Sequence, residues 1–527
     1  MRTKNSADVP APHGSAAAHA PEHPWRGALP YVALAVAVLL SYGYEIFSFN
    51  LTIDEELHAV GAVHLDVWIA QGRWSMALLN YVLLANPVGP VTSTLIGVLA
   101  GALGLLLLLR KMFALDEPGA AAIAALAITT PTLAFIFTFS TIAYGVGVAF
   151  LTLALSISVA ARYSLHGLLL ACLLGAFSIG VYQPFVFAVA ILAAVSALRP
   201  LHGTRFSTLR RYGCWFAYVI GSVLIYGVAS LLAMKLRSVH TQYVGAFVDI
   251  AGLFQQPRAR LQSSFWQLID ILRLDRALFG LSSIWLGVTV SAAAVLALLN
   301  PLMRNDQRQL ARNAGVMLTV VAAIVLAAAV SGYVLPLRAV VYFPIGVAVV
   351  AAIGYSESKP RLRMLFLVLC GLAVVGNAAI NNHLFASAAA TEFQDRLLAH
   401  EIVRTVRGAY PDLAKAPTPV KVVTVGTLGW PETPLRPVRD TFGASFFEWG
   451  GGLDERIAAY LTLNGLKSIG STGRDRVRIF QSEADMPAWP RDGWIRLSGD
   501  TLVLKLGDYS PAQRADLCMM GYRSMCQ

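Results

Sequence analysis

The sequence predicts a polytopic α-helical membrane protein with about 11 transmembrane helices and a small α/β domain after the last of them. Of its 527 residues, 56% are hydrophobic and 13% are charged, whereas an ordinary soluble protein carries about 25% charged residues. Apolar runs long enough to cross a bilayer, about 20 residues each, recur between residues 29 and 381. The residues after 381 lack such runs and have the composition of a soluble domain.

Eleven apolar runs define the predicted spans. They lie at 29–48, 89–109, 118–137, 142–160, 165–182, 184–198, 213–234, 279–299, 313–333, 339–355 and 364–381. The run that follows residues 1–27 is too long for a cleaved signal sequence and lacks a clear cleavage site. We therefore expect three parts: a disordered cytoplasmic tail at 1–27, a transmembrane module at 28–381 with an external loop at 49–88, and an external α/β domain at 382–527.

Basic residues cluster in alternate loops, which predicts the orientation of the chain. Cytoplasmic loops carry an excess of Lys and Arg, so we interpret the net charge of +11 as a topology signal rather than a nucleic-acid-binding surface. This places the N-terminus inside and the C-terminus outside. Loop 235–277 departs from the pattern, since it would be external yet contains several basic residues; long loops follow the rule less strictly. An external C-terminus would permit a disulfide between Cys518 and Cys526.

Two segments outside the spans have regular patterns of their own. Residues 66–84 predict an interfacial helix with Trp68 and Trp74 at the level of the lipid headgroups. After residue 382, the pattern predicts a helix, a strand, a second helix and two strands about a Ser-Gly-Asp turn. These elements lie at 392–406, 421–428, 454–466 and 494–506.

Three adjacent carboxylates, Asp54, Glu55 and Glu56, follow the first predicted span. Thr52 and Glu55 have the spacing of a capping box, in which each side chain satisfies the other's backbone N–H, so Glu55 fits a structural role equally well. Capping does not account for Asp54 or Glu56. Adjacent like charges raise the pKa of at least one carboxyl group, which suits a general base that removes a proton from an attacking hydroxyl. His58 lies one helical turn after Asp54, although such a histidine is commonly a hydrogen-bonded surface residue.

Arg338 lies in a short external turn between two predicted spans, on the side opposite the basic loops. It could contact lipid headgroups by snorkelling, or it could hold a phosphate through its forked guanidinium and stabilise the charge of a leaving phosphate. Arg73 is a weaker candidate for the same role. The sequence contains no Cys/His metal spacing, no Walker loop and no dinucleotide glycine motif after a strand, so soluble nucleotide chemistry is not indicated.

Short motifs spread over most of the chain are weak singly and specific as a set. They are LTIDEELHA at 51–59, GRW at 72–74, YQP at 182–184, Pro-x-Arg at 336–338, and FGASFFEWGGG at 442–452 followed by Arg456 and Ile457. In this order they resemble the Gtr type II glucosyltransferases that decorate bacterial O-antigens, within the GT-C superfamily of membrane glycosyltransferases. The long N-terminal tail and the basic loop 235–277 depart from that family's pattern.

The resemblance implies an inverting glycosyltransferase of the bacterial inner membrane with a periplasmic active site. It implies transfer of glucose or a similar hexose from an undecaprenyl-phosphate-linked donor to a glycan such as O-antigen, with Asp54 or Glu55 as base. Such a donor needs no nucleotide site, and we expect no cofactor, although three carboxylates could bind Mg²⁺. Tyr182 and Gln183 could donate to sugar hydroxyls, although the proline after them also suits a helix start. The candidate substrate-binding residues are Glu56, His58, Arg73, Tyr182, Gln183, Arg338 and Glu448.

Two other functions are compatible with a polytopic protein. A lipid-linked sugar flippase or transporter would carry ionisable residues within its spans near the midplane, whereas the acids here cluster at one external face. A structural or assembly protein would leave the acidic triplet without a task. Phe446 and Phe447 have two possible interpretations. They are buried in a domain core, or they form, with Glu448, a platform for the acceptor glycan.

Overall fold

The computed structural model describes residues 25–48, 50–61, 64, 66–83, 89–199, 207–240, 249–273, 281–331, 335–415, 417–430, 442–471, 473–482 and 485–521. The predicted tail therefore lies almost wholly outside the described residues. The first helices are α1 (Trp25–Phe47), α2 (Glu55–Ala59), α3 (Asp66–Ala70), α4 (Trp74–Leu83), α5 (Pro90–Phe113), α6 (Glu117–Ile128), α7 (Pro131–Phe137) and α8 (Ser140–Ala160). Next come α9 (Leu165–Val181), α10 (Phe185–Leu198), α11 (Thr208–Leu236), α12 (Ile250–Gln255), α13 (Pro257–Arg273), α14 (Ile284–Met303), α15 (Gln307–Ser331), α16 (Phe343–Glu357) and α17 (Pro360–Ala409).

Seven helices in the described part of the chain are long and apolar enough to cross a membrane: α1, α5, α8, α11, α14, α15 and α17. Each coincides with a predicted span. Helices α9, α10 and α16 also coincide with predicted spans, but they have only 17, 14 and 15 residues, short of the roughly 20 that a bilayer needs. The chain is thus a mostly helical membrane protein, and the count of eleven spans stays a prediction.

The predicted span at 118–137 is not one straight helix. Helices α6 and α7 meet at an angle of 62°. Pro131 stands at the start of α7, and a proline removes a backbone N–H from the helical ladder and clashes with the preceding turn. Counted together, the bent pair would bring the candidate spans to eight.

The predicted interfacial helix at 66–84 is also divided, into α3 and α4. Gly72 adopts a φ of 74°, a left-handed conformation that ends a helix and that glycine adopts without steric cost. The backbone N–H of Arg73 then donates to the carbonyl of Trp68 at 2.7 Å. Trp68 is buried, with 5% of its surface exposed, so its ring packs inside the protein, and its predicted position at the headgroup level stays a prediction.

Helix α17 is 50 residues long and passes through the predicted domain boundary at residue 382 without a break. The predicted helix at 392–406 is the last part of it. Between Pro360, which opens the helix, and Pro411, which follows it, the chain contains no proline, so nothing removes a hydrogen bond from the ladder.

The C-terminal part is a small mixed sheet with helices. Its strands are β1 (Val420–Val425), β2 (Ser468–Gly470), β3 (Ile495–Ser498) and β4 (Thr501–Lys505), and its helices are α18 (Pro411–Lys415), α19 (Asp454–Leu463), α20 (Gly473–Ser482) and α21 (Pro511–Met519). The strand order is β2-β1-β4-β3, with β1 parallel to β2 and β4, and β3 antiparallel to β4. Strands β1, β3 and β4 and helix α19 lie where the sequence predicted them. Cys518 is disulfide-bonded, and Cys526 lies outside the described residues.

The core of this C-terminal part reaches back to the first loop of the chain. It contains Ile402 of α17, Val422 of β1, Ile457 of α19 and Leu502 of β4, and Ile53 belongs to the same cluster. Burial of such side chains contributes about 1.5–3 kcal/mol each. The packing of Ile53 therefore fixes the acidic residues that follow it against the C-terminal part.

Candidate active site

Asp54 lies in a strained turn before α2, and Glu55 and Glu56 are the first two residues of that helix. Asp54 precedes α2 with φ 83° and ψ −23°, and its side chain does not cap that helix. A left-handed backbone is uncommon for any residue other than glycine, although Asp adopts it more readily than most. Such strain persists only where the surroundings hold it, and it concentrates at functional sites. Here the surroundings are buried Ile53 on one side and fully buried Glu55 on the other.

Glu55 supports the fold of this turn. Its carboxylate accepts the backbone N–H of Thr52 at 2.9 Å and that of Ser140, at the start of α8, at 2.5 Å. One half of the predicted capping box is therefore present, while the Thr52 hydroxyl donates to the carbonyl of Thr138 instead. Burial raises the pKa of Glu55 against these hydrogen bonds, which lower it. These contacts favour the structural interpretation of Glu55.

Arg456 of α19 bridges the other two acids. Its Nη1 lies 2.6 Å from Oε1 of Glu56, and its Nη2 pairs with Oδ1 of Asp54. Glu56 is fully buried, whereas 54% of the Asp54 side chain is exposed. Burial raises the pKa of Glu56 to about 7, opposed by the charge of Arg456 and assisted by that of Asp54. The guanidinium thus joins a solvent-facing acid to a buried one.

A cavity of about 510 Å³ opens beside this bridge. Its polar wall contains six of the site residues predicted from the sequence: Asp54, His58, Arg73, Tyr182, Gln183 and Arg338. Asp54 is the single acid among the lining residues, and Arg73, Arg338 and Arg456 are the arginines. Its apolar wall includes residues of α11 and α15, which are both candidate spans. The cavity therefore joins an electropositive region to apolar surface on these two helices.

Aromatic contacts hold Arg73 in this wall. Its Cζ lies 5.7 Å from the ring centre of Trp68 and 4.9 Å from that of Tyr182, within the range of cation–π attraction. Its Nε donates to Oε1 of Gln183 at 3.4 Å, and Nε2 of Gln183 donates to the backbone carbonyl of Gln71. The predicted GRW and YQP motifs therefore meet in one cluster.

His58 stacks on Trp68, with ring centres 5.6 Å apart and planes 14° apart. Burial lowers the pKa of His58, and the nearby charge of Asp54 raises it. Because burial is the larger effect, a neutral imidazole is favoured beside the cavity at neutral pH.

Arg338 reaches the cavity from a one-turn 3₁₀ helix, Leu337–Ala339. This turn contacts α7, the second half of the bent helix pair. Pro336 and Tyr342 on either side of it also line the cavity. The turn between two apolar segments thus brings the guanidinium to the same cavity as Asp54.

Glu448 is not among the residues that line this cavity. Phe446 and Phe447 are buried, and Phe446 stacks on Tyr460 with ring centres 4.2 Å apart, which favours their interpretation as core residues. The carboxylate of Glu448 lies against Gly429 in the C-terminal part. Its role toward an acceptor glycan stays a prediction.

Sequence reasoning missed the central position of Arg456. It follows the FGASFFEWGGG motif, but only the fold shows that it faces two acids at the other end of the chain. Trp68, Gln71 and Tyr342 also line the cavity. The sequence pattern marked Trp68 only as an interfacial aromatic residue, and it did not mark Gln71 or Tyr342. Among the described residues, no group of three or more His, Cys, Asp or Glu side chains is placed to hold a metal ion.

Comparison with known proteins gives one match. No curated protein and no solved structure matches the chain. The model of the glucosyl transferase GtrII family matches residues 43–385, which is more than half of the chain. The matched region includes the acidic triplet, the GRW and YQP motifs and Arg338, and it ends before Arg456. The resemblance found in the sequence is therefore confirmed, and the chain belongs to the glucosyl transferase GtrII family.

Proposed function

We propose that this glucosyltransferase moves glucose from an undecaprenyl-phosphate-linked donor to a periplasmic glycan such as O-antigen, with inversion at the anomeric carbon. One observation carries the proposal: a single cavity combines one exposed acid, three arginines and apolar walls on spanning helices. A lipid-linked sugar monophosphate has the matching parts. Its phosphate needs cations, its chain needs apolar surface, and the acceptor hydroxyl that attacks its sugar needs a base nearby.

Asp54 is the base in this proposal. Its Oδ1 pairs with Arg456, which leaves Oδ2 as the oxygen that takes the proton of the acceptor hydroxyl. The deprotonated oxygen attacks C1 of the sugar, a new C1–O bond forms, and the bond from C1 to the phosphate oxygen breaks on the opposite face. The products are the glycosylated acceptor and the polyprenyl phosphate. Glu55 supports the turn and takes no part in the proton transfer.

Arg338 and Arg73 bind the phosphate of the donor in this proposal. Negative charge grows on the phosphate oxygen as the C1–O bond breaks, and fixed cations at that position lower the barrier. A guanidinium can hold two phosphate oxygens in parallel. The cation–π contacts of Arg73 with Trp68 and Tyr182 restrict its motion, so little reorganisation is needed when the donor binds.

The apolar wall suits the lipid chain of the donor. Val223 and Tyr226 of α11 and Ala327 and Val330 of α15 line the cavity, and both helices are candidate spans. Lipid chains that pass between spanning helices reach such a wall directly from the bilayer. A soluble nucleotide sugar would gain nothing from this surface.

Purified protein in lipid nanodiscs tests the proposal. We expect transfer of labelled glucose from undecaprenyl-phosphate-glucose to the envelope glycan of the producing bacterium, and none from UDP-glucose. The anomeric configuration of the product, read by NMR, is expected to be opposite to that of the donor. Transfer from UDP-glucose alone, or a product that retains the donor's configuration, would overturn it.

A further inference from the structure

Several side chains around the cavity hold polar atoms that have no hydrogen-bond partner. Within the described residues these atoms include Nε1 of Trp68, Oε1 of Gln71 and the hydroxyl of Tyr342, and all three residues line the cavity. Buried polar groups are nearly always paired, because an unmade hydrogen bond leaves the cost of removing the group from water uncompensated. Three such atoms around one cavity indicate that a polar ligand pairs with them.

We propose that Trp68, Gln71 and Tyr342 form the subsite that holds a pyranose ring, an inference that rests on the proposed function. The indole N–H is a donor, the amide oxygen is an acceptor, and the phenol can be either. Sugar hydroxyls both donate and accept, so one ring can satisfy all three. An alkyl chain could satisfy none of them and would leave each atom unpaired.

The three groups are held in place before any ligand binds. His58 stacks on the Trp68 ring, and the guanidinium of Arg73 lies 5.7 Å from its centre. The Tyr342 ring packs against Phe187 with centres 5.2 Å apart, and Tyr342 is 1% exposed. Fixed donors and acceptors of this kind discriminate between ligands better than mobile ones, because little entropy is lost when they bind.

The position of the subsite links it to the reacting groups. Trp68 stacks on His58, which follows Asp54 by one helical turn, and Tyr342 follows Arg338 by four residues. The unpaired atoms thus belong to the two segments that supply the base and the phosphate ligand. The cavity volume of about 510 Å³ is typical of sites for small ligands, which occupy about 300–1,000 Å³.

The test removes the phenol hydroxyl or the indole N–H and keeps an aromatic ring at each position. Tyr342→Phe and Trp68→Phe are compared with Tyr144→Phe and Trp74→Phe, whose polar atoms are also unpartnered but whose side chains do not line the cavity. Binding is measured in nanodiscs to undecaprenyl-phosphate-glucose and to undecaprenyl phosphate, which lacks the sugar. The KM for the acceptor glycan is measured in parallel.

We expect Tyr342→Phe and Trp68→Phe each to weaken binding of the glucose-bearing lipid about tenfold, with undecaprenyl phosphate and both control variants unchanged. That result assigns the subsite to the donor's sugar. A rise in acceptor KM with unchanged donor binding assigns it to a sugar of the acceptor. Wild-type behaviour of Tyr342→Phe and Trp68→Phe in every measurement would overturn the subsite while the wild-type protein still binds and uses the donor. Failure of the wild-type protein to bind the donor would instead overturn the proposed function.

Discussion

Nη1 of Arg456 lies 2.6 Å from Oε1 of Glu56, a carboxylate 400 positions earlier in the chain. The same guanidinium pairs with Asp54, the acid that we assign as base. One residue of the C-terminal part therefore positions a group of the first loop. The family match ends at residue 385, so this positioning residue lies beyond the region that the family model covers.

Replacement of Arg456 is expected to reduce turnover without unfolding the protein. Lysine keeps the charge but cannot reach both acids with a planar fork. We expect kcat to fall about 10- to 100-fold in Arg456→Lys, since a hydrogen bond to a charged group contributes about 1.5–3 kcal/mol. Arg474→Ala, which removes an exposed arginine of the same C-terminal part, is the control. Equal turnover in Arg456→Lys and wild type would remove Arg456 from the site.

Substitution of Asp54 and Glu55 separates chemistry from structure. Asp54→Asn removes the base and is expected to lower kcat about 10²- to 10⁴-fold with little change in melting temperature. Glu55→Gln replaces one acceptor oxygen by a donor, which then faces the backbone N–H of either Thr52 or Ser140. We expect it to lower the melting temperature and to leave the chemical step of the folded fraction intact. Near-normal transfer by folded Asp54→Asn protein would show that the base is elsewhere.

Arg338→Lys tests the phosphate site at limiting and saturating donor. The substitution keeps the charge and loses the fork, so we expect a higher donor KM and a lower kcat. An arginine that only contacts headgroups would tolerate the change. Arg258→Lys, at an exposed arginine of α13, is the matched control. Wild-type kinetics for Arg338→Lys and Arg338→Ala at both donor levels would contradict the assignment.

The pH dependence of activity is expected to follow Glu56. Its pKa is about 7 in the folded protein, so the carboxylate that holds Arg456 becomes protonated below that pH. We expect kcat to fall as pH drops through about 7 and expect Glu56→Gln to abolish this inflection. A profile whose inflection near pH 7 survives in Glu56→Gln would assign it to another group.

The same pKa sets the sign of a stability effect. The folded state binds this proton more tightly than a carboxyl with the ordinary pKa of 4.5. The stabilisation that comes from this raised pKa is therefore full below pH 4.5 and is lost as pH rises through about 7. Chemical denaturation of wild type and Glu56→Gln across this range measures it.

The sequence predicts the features of the fold that depend on local composition. Span positions follow from apolar length, and strands β3 and β4 follow from an alternating pattern about a turn. Breaks follow from single residues whose effect depends on context: Pro131 bends a span and Gly72 divides a helix, yet Gly371 and Gly376 lie within unbroken α17. A window average over apolar residues cannot separate these cases.

The candidate site was predictable in part for a similar reason. Asp54 stands out because it belongs to a run of three acids after an apolar span, and Arg338 because it lies on the side opposite the basic loops. The pairing of Arg456 with Glu56 depends on tertiary packing between distant segments, which no local pattern encodes. Trp68 and Tyr342 are aromatic residues among many, and only the cavity distinguishes them.

The length and rotation of helix α17 set the position of the C-terminal part relative to the bilayer. Fifty residues at about 1.5 Å each make a rod about 75 Å long, whereas the hydrocarbon core of a bilayer is about 30 Å thick. One inserted residue would turn everything beyond it by about 100° and swing Arg456 away from its two acids. The helix has no break, so a change in membrane thickness is accommodated by a tilt of the whole helix and not by a flexible linker.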